Sequence, residues 1–316
     1  MFSRMKNVLL PASSLTYSRF FTTAARTPLN KRLFAVVGDT GGTFADPACT
    51  SPGCATHDAF EKEGVNLPRE LIHRCMGMEK AAHIKKLTEC ELFRYQFAKH
   101  HRREYSFEKD FKRIFNNFND KQNELLKNVV IIPHAIGALK FLHRQQIPFA
   151  FTTSFHRAAT QIVLNKLASS LPFKLPLAIS ADEIPKGTRA NLVKEALERH
   201  NISSLNYKRT VFITDTESDI RSVKNDSETQ SITTIGVSGF AAGMNLEHPD
   251  ELNTTPKEIL DEKRRRVERQ LLDAGADSVI TYLDELPRAL YDISEELDQQ
   301  RGVLSQRVLT FPTFRR

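Results

Sequence analysis

No stretch of the chain approaches the roughly 18 to 20 uninterrupted apolar residues that a membrane-spanning helix needs, which argues against a helical span. Cysteine is scarce and lopsided: Cys49, Cys54, Cys75 and Cys90 all fall in the first third of the chain. Their spacings match no standard zinc pattern and indicate no disulfide framework. Acidic residues are missing altogether ahead of Asp39, where Arg4, Lys6, Arg19, Arg26, Lys31 and Arg32 stand. Those six account for all but one of the net charge of +7. The rest of the chain is therefore almost neutral, and a nucleic-acid-binding role loses its electrostatic basis. The basic runs Lys99 to Arg103 and Lys263 to Arg266 read as solvated helix faces.

The acid-free segment does carry a signal of its own. It is rich in hydroxyls (Ser13, Ser14, Thr16, Ser18, Thr22, Thr23), with apolar residues among its basic ones. That make-up predicts a mitochondrial transit peptide over residues 1–32, a site for processing near Arg19-Phe20-Phe21, and a matrix location; a plastid address is the alternative. The remainder, in a chain of 316 residues with 40% hydrophobic and 26% charged side chains, suffices for one large domain or two smaller ones.

Short apolar runs bounded by glycine or polar residues predict strands at Leu33 to Val37, Ile147 to Thr152, Leu177 to Ile179, Arg209 to Thr214, Ile232 to Val237 and Ser278 to Tyr282. Helical periodicity fills the gaps: Ala135 to Gln145, Arg157 to Ala168, Asn191 to His200, Ser218 to Asn225, Pro256 to Ala274 and Leu283 to Leu297. Such alternation predicts an α/β fold, a Rossmann-like parallel sheet with helices on both faces. One block breaks it. Residues 57–129 show only helical spacing, including the series Phe93, Phe97, Phe107, Phe111, Phe115 and Phe118, which reads as a small core. We expect an all-helical cap there, a core made of 33–56 and 130–298, and a tail over 299–316 without a readable pattern.

Chemistry-bearing residues gather at the predicted strand ends. Asp39, followed by Thr40-Gly41-Gly42-Thr43, offers a carboxylate as nucleophile or metal ligand, and Gly42 lets a phosphoryl group approach the backbone. Thr153 and Ser154 supply hydroxyls for phosphate oxygens. Lys186 or Arg189 supplies a balancing cation. Asp215 and Asp219 supply hard oxygen ligands suited to Mg²⁺.

Nucleophilic Asp, hydroxyl, cation and acidic pair, in that order, resemble the haloacid dehalogenase pattern. Within it the chain resembles the phosphonoacetaldehyde hydrolase family from about Phe34 to Leu297. That family opens with Asp-Trp-Ala-Gly-Thr-Thr, against Asp39-Thr40-Gly41-Gly42-Thr43-Phe44 here. Its cap bears Met-Gly-x-x-Lys-x-x-His, against Met76-Gly77-Met78-Glu79-Lys80-Ala81-Ala82-His83. The resemblance implies an imine-forming lysine at Lys80, a proton shuttle at His83, an active-site cysteine at Cys49, and Mg²⁺ on Asp39, the Gly41 carbonyl, Asp215 and Asp219. It also implies a phosphonate substrate and a homodimer formed through the cap. Most phosphatases of the superfamily carry an acid two residues after the nucleophile to protonate the leaving oxygen; here that position is Gly41. Carbon–phosphorus cleavage does not need that acid. Where the family has Gly-Arg-Pro this chain has Gly187-Thr188-Arg189. A phosphatase acting on another phosphonate or phosphate ester, or a non-catalytic mitochondrial component, are the alternatives left by the sequence.

Overall fold

The computed structural model describes residues 28–308, apart from Cys75, Lys186, Glu247 and Pro249. The predicted import segment ahead of Pro28, the candidate cation Lys186 and the tail beyond Val308 lie outside the described residues.

Six strands form one parallel sheet: β1 Ala35–Asp39, β2 Phe149–Thr153, β3 Leu177–Ser180, β4 Thr210–Thr214, β5 Thr233–Val237 and β6 Ser278–Ile280. Their order across the sheet is β3-β2-β1-β4-β5-β6, the doubly wound arrangement whose ligand crevice lies where the order reverses. That reversal separates β1 from β4. All five residues of β1, β2 and β4 are buried, as strands covered by helices on both faces must be. One face packs Val36, Phe151, Val211 and Ile235 with Phe44, Leu139 and Leu290. The other packs Val37, Ala150 and Phe212 with Leu192, Val193 and Leu197.

Twelve helices accompany the sheet among the described residues. The insertion after β1 holds α1 Thr50–Glu61, α2 Arg69–His73, α3 Lys80–Thr88, α4 Glu91–His101 and α5 Phe107–Leu126. Ahead of β2 comes α6 Ala135–Arg144, and between the later strands come α7 Arg157–Ala168, α8 Arg189–Arg199, α9 Glu217–Asn225, α10 Glu251–Thr254 and α11 Lys257–Asp273; α12 Leu286–Val308 closes the chain's described part. The α/β class and the helical insertion are as the sequence predicts, and every expected strand is present.

Four expectations need correction. The boundary drawn at residues 56 and 57 falls inside α1, because α1 starts at Thr50 and packs along α5. The boundary at 298 falls inside α12. Residues 28–32 are part of the folded body. Leu29 is 0% exposed within the main core, the Lys31 and Arg32 carbonyls accept bonds from Arg209, and Arg32 pairs with Asp298 at 3.2 Å. A segment removed on import cannot contribute such contacts, so the proposed presequence must stop short of Pro28. Finally, the phenylalanine series divides. Phe93, Phe97 and Phe118 are fully buried with Phe60 in the insertion's own core, whereas Phe111 and Phe115 are half-buried and Phe107 is exposed.

Candidate active site

Asp39 is the last residue of β1, so its carboxylate is delivered to the sheet's carboxyl edge. The chain then turns sharply. Gly42, at φ +75°, donates its N–H to the carbonyls of Ala45 and Asp46 at 2.8 and 3.2 Å. The N–H expected from the sequence to meet phosphate is thus spent within the turn. What Gly42 contributes is room, because a Cβ there would overlap the Asp215 carboxylate.

Asp215 follows β4, across the reversal from Asp39. Its Oδ1 accepts the Thr43 hydroxyl at 3.1 Å and its Oδ2 accepts the Ala242 N–H at 2.8 Å. Asp219, in the first turn of α9, is fixed by the Thr214 hydroxyl at 3.0 Å. Arg189, the first residue of α8, is fully buried between the two strand ends. Its Nη2 lies 2.8 Å from Asp39 and 2.9 Å from Asp219, and its Nη1 donates to the Thr152 hydroxyl at 3.0 Å. Of the two cations proposed from sequence, Arg189 reaches the carboxylates.

Lys80 arrives from the insertion. Glu79 caps α3 by accepting the N–H groups of Ala81 and Ala82, which places Lys80 at the helix start. The side chain is 97% buried, and its Nζ lies 5.8 Å from the Phe155 ring centre. Burial lowers its pKa, while the carboxylates of Asp39 and Asp219 hold it up. The result is an amine within the field of the Asp39 carboxylate and shifted towards its neutral form. Burial likewise pushes Asp39 up to about 6 against the opposing pull of Arg189. Asp215 is raised well above the usual carboxylate range by burial and by the Asp39 charge.

The remaining expected site residues take these places. Thr153 accepts the Phe155 N–H at 3.1 Å, leaving its own proton to donate. Ser154 is buried at the site's rim. Cys49 sits at the start of α1, within a run where Asp46, Ala48 and Cys49 all have positive φ. Three such residues in four hold local strain, on the order of 1–3 kcal/mol each, of the kind that clusters at functional sites. Burial and the Asp215 charge raise the Cys49 pKa well above its usual value, so it is a thiol and not a thiolate. Met76 meets the core through its carbonyl, which accepts the Ser218 hydroxyl at 2.8 Å.

His83 departs from its expected role as a proton shuttle. Its ring is 0% exposed, its Nε2 lies 2.9 Å from the Ile72 carbonyl and therefore carries the proton, and burial pushes its pKa down to about 3. A ring held neutral across the physiological range cannot store a proton. It instead fixes α3 to α2.

Sequence reasoning missed the Ala242 N–H, the Thr214 hydroxyl and Asp46, whose carboxylate accepts from Thr50 and Ser51 and ties down the strained loop. Only Thr214 had a readable signal, since it ends the strand that delivers Asp215.

Among the described residues no three His, Cys, Asp or Glu side chains form a ready metal cage. The donor set nevertheless fits a hard cation. Asp39 and Asp215 are buried and both are destabilised as carboxylates by burial and by a neighbouring negative charge, that of Asp219 for Asp39 and chiefly that of Asp39 for Asp215. A divalent ion would relieve that repulsion, and Mg²⁺ commonly binds through one or two carboxylates with water completing its shell.

The haloacid dehalogenase-like hydrolase family model matches residues 39–234, more than half the chain. The chain belongs to that family. Among curated relatives it is similar to a phosphonoacetaldehyde hydrolase of Latilactobacillus sakei, 28% identical over 258 residues, covering 81% of this chain and 94% of the relative. A phosphonoacetaldehyde hydrolase of Bacteroides fragilis is 25% identical over 275 residues, covering 85% and 99%. Among solved structures the fold is similar to a phosphonoacetaldehyde hydrolase-like protein from Oleispira antarctica, with TM-score 0.76, 19% identity and coverage of 85% and 95%.

The state of His83 gives a test. Its pKa is about 3 when folded against 6.5 for the free side chain. Above pH 6.5 neither state binds the proton and the folded form keeps its full stability. As pH falls below 6.5 the unfolded chain gains a proton that the folded chain refuses, so stability is lost continuously towards pH 3, at up to about 1.4 kcal/mol per pH unit. The melting temperature should therefore fall more steeply between pH 7 and pH 5 in the native protein than in His83→Gln. Equal slopes would show that His83 is not held neutral.

Proposed function

We propose that the chain hydrolyses the carbon–phosphorus bond of phosphonoacetaldehyde to acetaldehyde and phosphate. The observation that carries this reading is the approach of a buried Lys80 to the Asp39 site while Gly41 occupies the usual acid's position. A phosphate ester needs that acid for its leaving oxygen, and a carbanion needs an electron sink instead. A buried amine shifted towards neutrality supplies the sink by condensing with an aldehyde.

In the proposed sequence Lys80 Nζ attacks the aldehyde carbon and water leaves, giving an imine that is protonated on nitrogen. Asp39 attacks phosphorus, the carbon–phosphorus bond breaks, and its electron pair moves into the iminium to give an enamine. Protonation at carbon and addition of water release acetaldehyde and restore Lys80. A second water cleaves the aspartyl phosphate, returning Asp39 and phosphate. Arg189 and the Thr153 hydroxyl bind phosphoryl oxygens, and the Phe155 ring walls the lysine from water. Asp39, Asp215 and the Gly41 carbonyl would hold Mg²⁺, with Asp219 orienting the set from behind Arg189. Bound there, the ion supplies charge neutralisation between carboxylate and phosphoryl group.

Protein beginning at Thr22, which keeps the Leu29 turn, is the form to assay with Mg²⁺. Acetaldehyde release should drop on the order of a thousandfold or more in Asp39→Ala and in Lys80→Arg. Turnover preserved in Lys80→Arg would replace this mechanism with a phosphatase reading.

Two further parts of the proposal concern the whole protein. Residues 1–27 address it to the mitochondrial matrix, so those residues fused to a fluorescent protein should carry it there, and a diffuse cytosolic signal would refute this. The insertion carries exposed Leu92, Phe107 and, at 66% exposure, Tyr95, which supports a homodimer through the cap. Light scattering should give twice the chain mass of 35.9 kDa, falling to the single mass in Tyr95→Lys.

A further inference from the structure

A cavity of about 280 Å³ opens beside Lys80, bordered by Phe115 and Asn119 of α5 and by Ser154, His156 and Asp182 of the core. Neither Asp39 nor Arg189 borders it. A two-carbon aldehyde gripped between Lys80 and Asp39 therefore leaves this space over. A pocket of such volume approaches the size used for much larger ligands.

The lining is not inert. Asn119 Oδ1 and His156 Nε2 are buried and have no hydrogen-bond partner. Native proteins rarely leave such groups unsatisfied unless a water, ion or ligand completes them. They come from opposite walls, Asn119 from the insertion and His156 from the core. Burial, against the opposing charge of Asp182, lowers the His156 pKa, so the ring is neutral and one nitrogen is an acceptor. Asn119 Oδ1 can only accept. Asn119 Oδ1 thus suits a donor, while His156 Nε2, which carries the proton in one tautomer of the neutral ring, suits an acceptor, so a single hydroxyl can serve both. The other charges on the lining, Glu79 and Asp182, are negative, and each already accepts main-chain N–H groups. A second anion meets no cation on this lining except Lys80, which the reaction occupies. Phe115 adds an apolar wall.

We infer that this cavity recognises the carbonyl side of the substrate, and that the enzyme prefers 2-oxoalkyl phosphonates bearing an uncharged hydroxyl on the carbon beyond the carbonyl. The inference rests on the carbon–phosphorus reading above and names its substrate class. Bond changes are unaltered: Lys80 condenses with a ketone in place of an aldehyde, water leaves, and the released product is a hydroxyketone. The hydroxyl donates to Asn119 Oδ1 and accepts from His156 Nε2–H, and neither side chain takes part in proton transfer.

The test compares kcat/KM for phosphonoacetaldehyde, 2-oxopropylphosphonate, 3-hydroxy-2-oxopropylphosphonate and phosphonopyruvate. The hydroxyketone should exceed the methyl ketone by about tenfold, the worth of a hydrogen bond to an otherwise unpaired group, and phosphonopyruvate should be the poorest. Asn119→Leu and His156→Leu, one in each wall, should each bring the ratio of hydroxyketone to methyl ketone towards one. The inference is overturned if the methyl ketone equals the hydroxyketone, or if the ratio is unchanged in both variants. Equal losses on every substrate would make the cavity an entrance and would also overturn it. Turnover of phosphonoacetaldehyde with neither ketone accepted sinks this inference and leaves the carbon–phosphorus reading standing, whereas no turnover of any phosphonate sinks both.

Discussion

The site depends on one buried guanidinium. Arg189 reaches Asp39 at the end of β1, Thr152 near the end of β2 and Asp219 on α9. Two neighbouring parallel strands and a helix are thereby held in register by a single side chain. Three carboxylates and two cations share this dry volume, and the carboxylates Asp39 and Asp215 are both raised by their burial. Losing one partner of such a buried set strands the other charges, a cost of about 3–5 kcal/mol. The arrangement is stable only as a whole, which is a reason for the strands that carry it to be covered on both faces.

The insertion is keyed to the same machinery through main-chain atoms. Ala242 donates its N–H to Asp215, and its carbonyl lies 3.1 Å from His73 of α2. The Met76 carbonyl accepts Ser218, which stands next to Asp219. Gly77 lies between Met76 and Lys80 at φ +89°, and a Cβ there would overlap the Ser218 hydroxyl. Close approach of the two parts at this point is what brings Lys80 within range of Asp39. The position of the amine and the position of a carboxylate of the site are therefore set by adjacent residues.

Much of this was legible in the sequence, because parallel strands buried on both faces must be short apolar runs and their carboxyl ends must carry the chemistry. Asp39, Asp215 and Asp219 announce themselves by side-chain type and order, and Lys80 by the resemblance of its segment to a family motif. The failures share a cause. Ala242 acts through its main-chain N–H while that of Gly42 is spent in a turn, and since every non-proline residue possesses such a group, composition is silent about where it points. Whether His83 shuttles a proton or is locked neutral depends on burial contributed by distant residues. Leu29 looked like part of an acid-free leader because charge, and not packing, was the signal being read. That Arg189 reaches the carboxylates required knowing where α8 begins.

That beginning explains how the departure from Gly-Arg-Pro is tolerated. Thr188 caps α8 by accepting the Asn191 N–H, so Arg189 takes the first helical position, where proline is otherwise favoured. A cation there opposes the helix dipole, which favours negative charge at an N-terminus. Arg189 is stabilised instead by Asp39 and Asp219, ahead of any phosphoryl group. Under the proposed reaction this has a consequence for order. A phosphoryl group that engages Arg189 Nη2 draws it from Asp39, and the same displacement frees the Asp39 oxygen to attack. Binding of the phosphoryl group and release of the nucleophile are then one event, enforced by a guanidinium whose helix position gives it no other support.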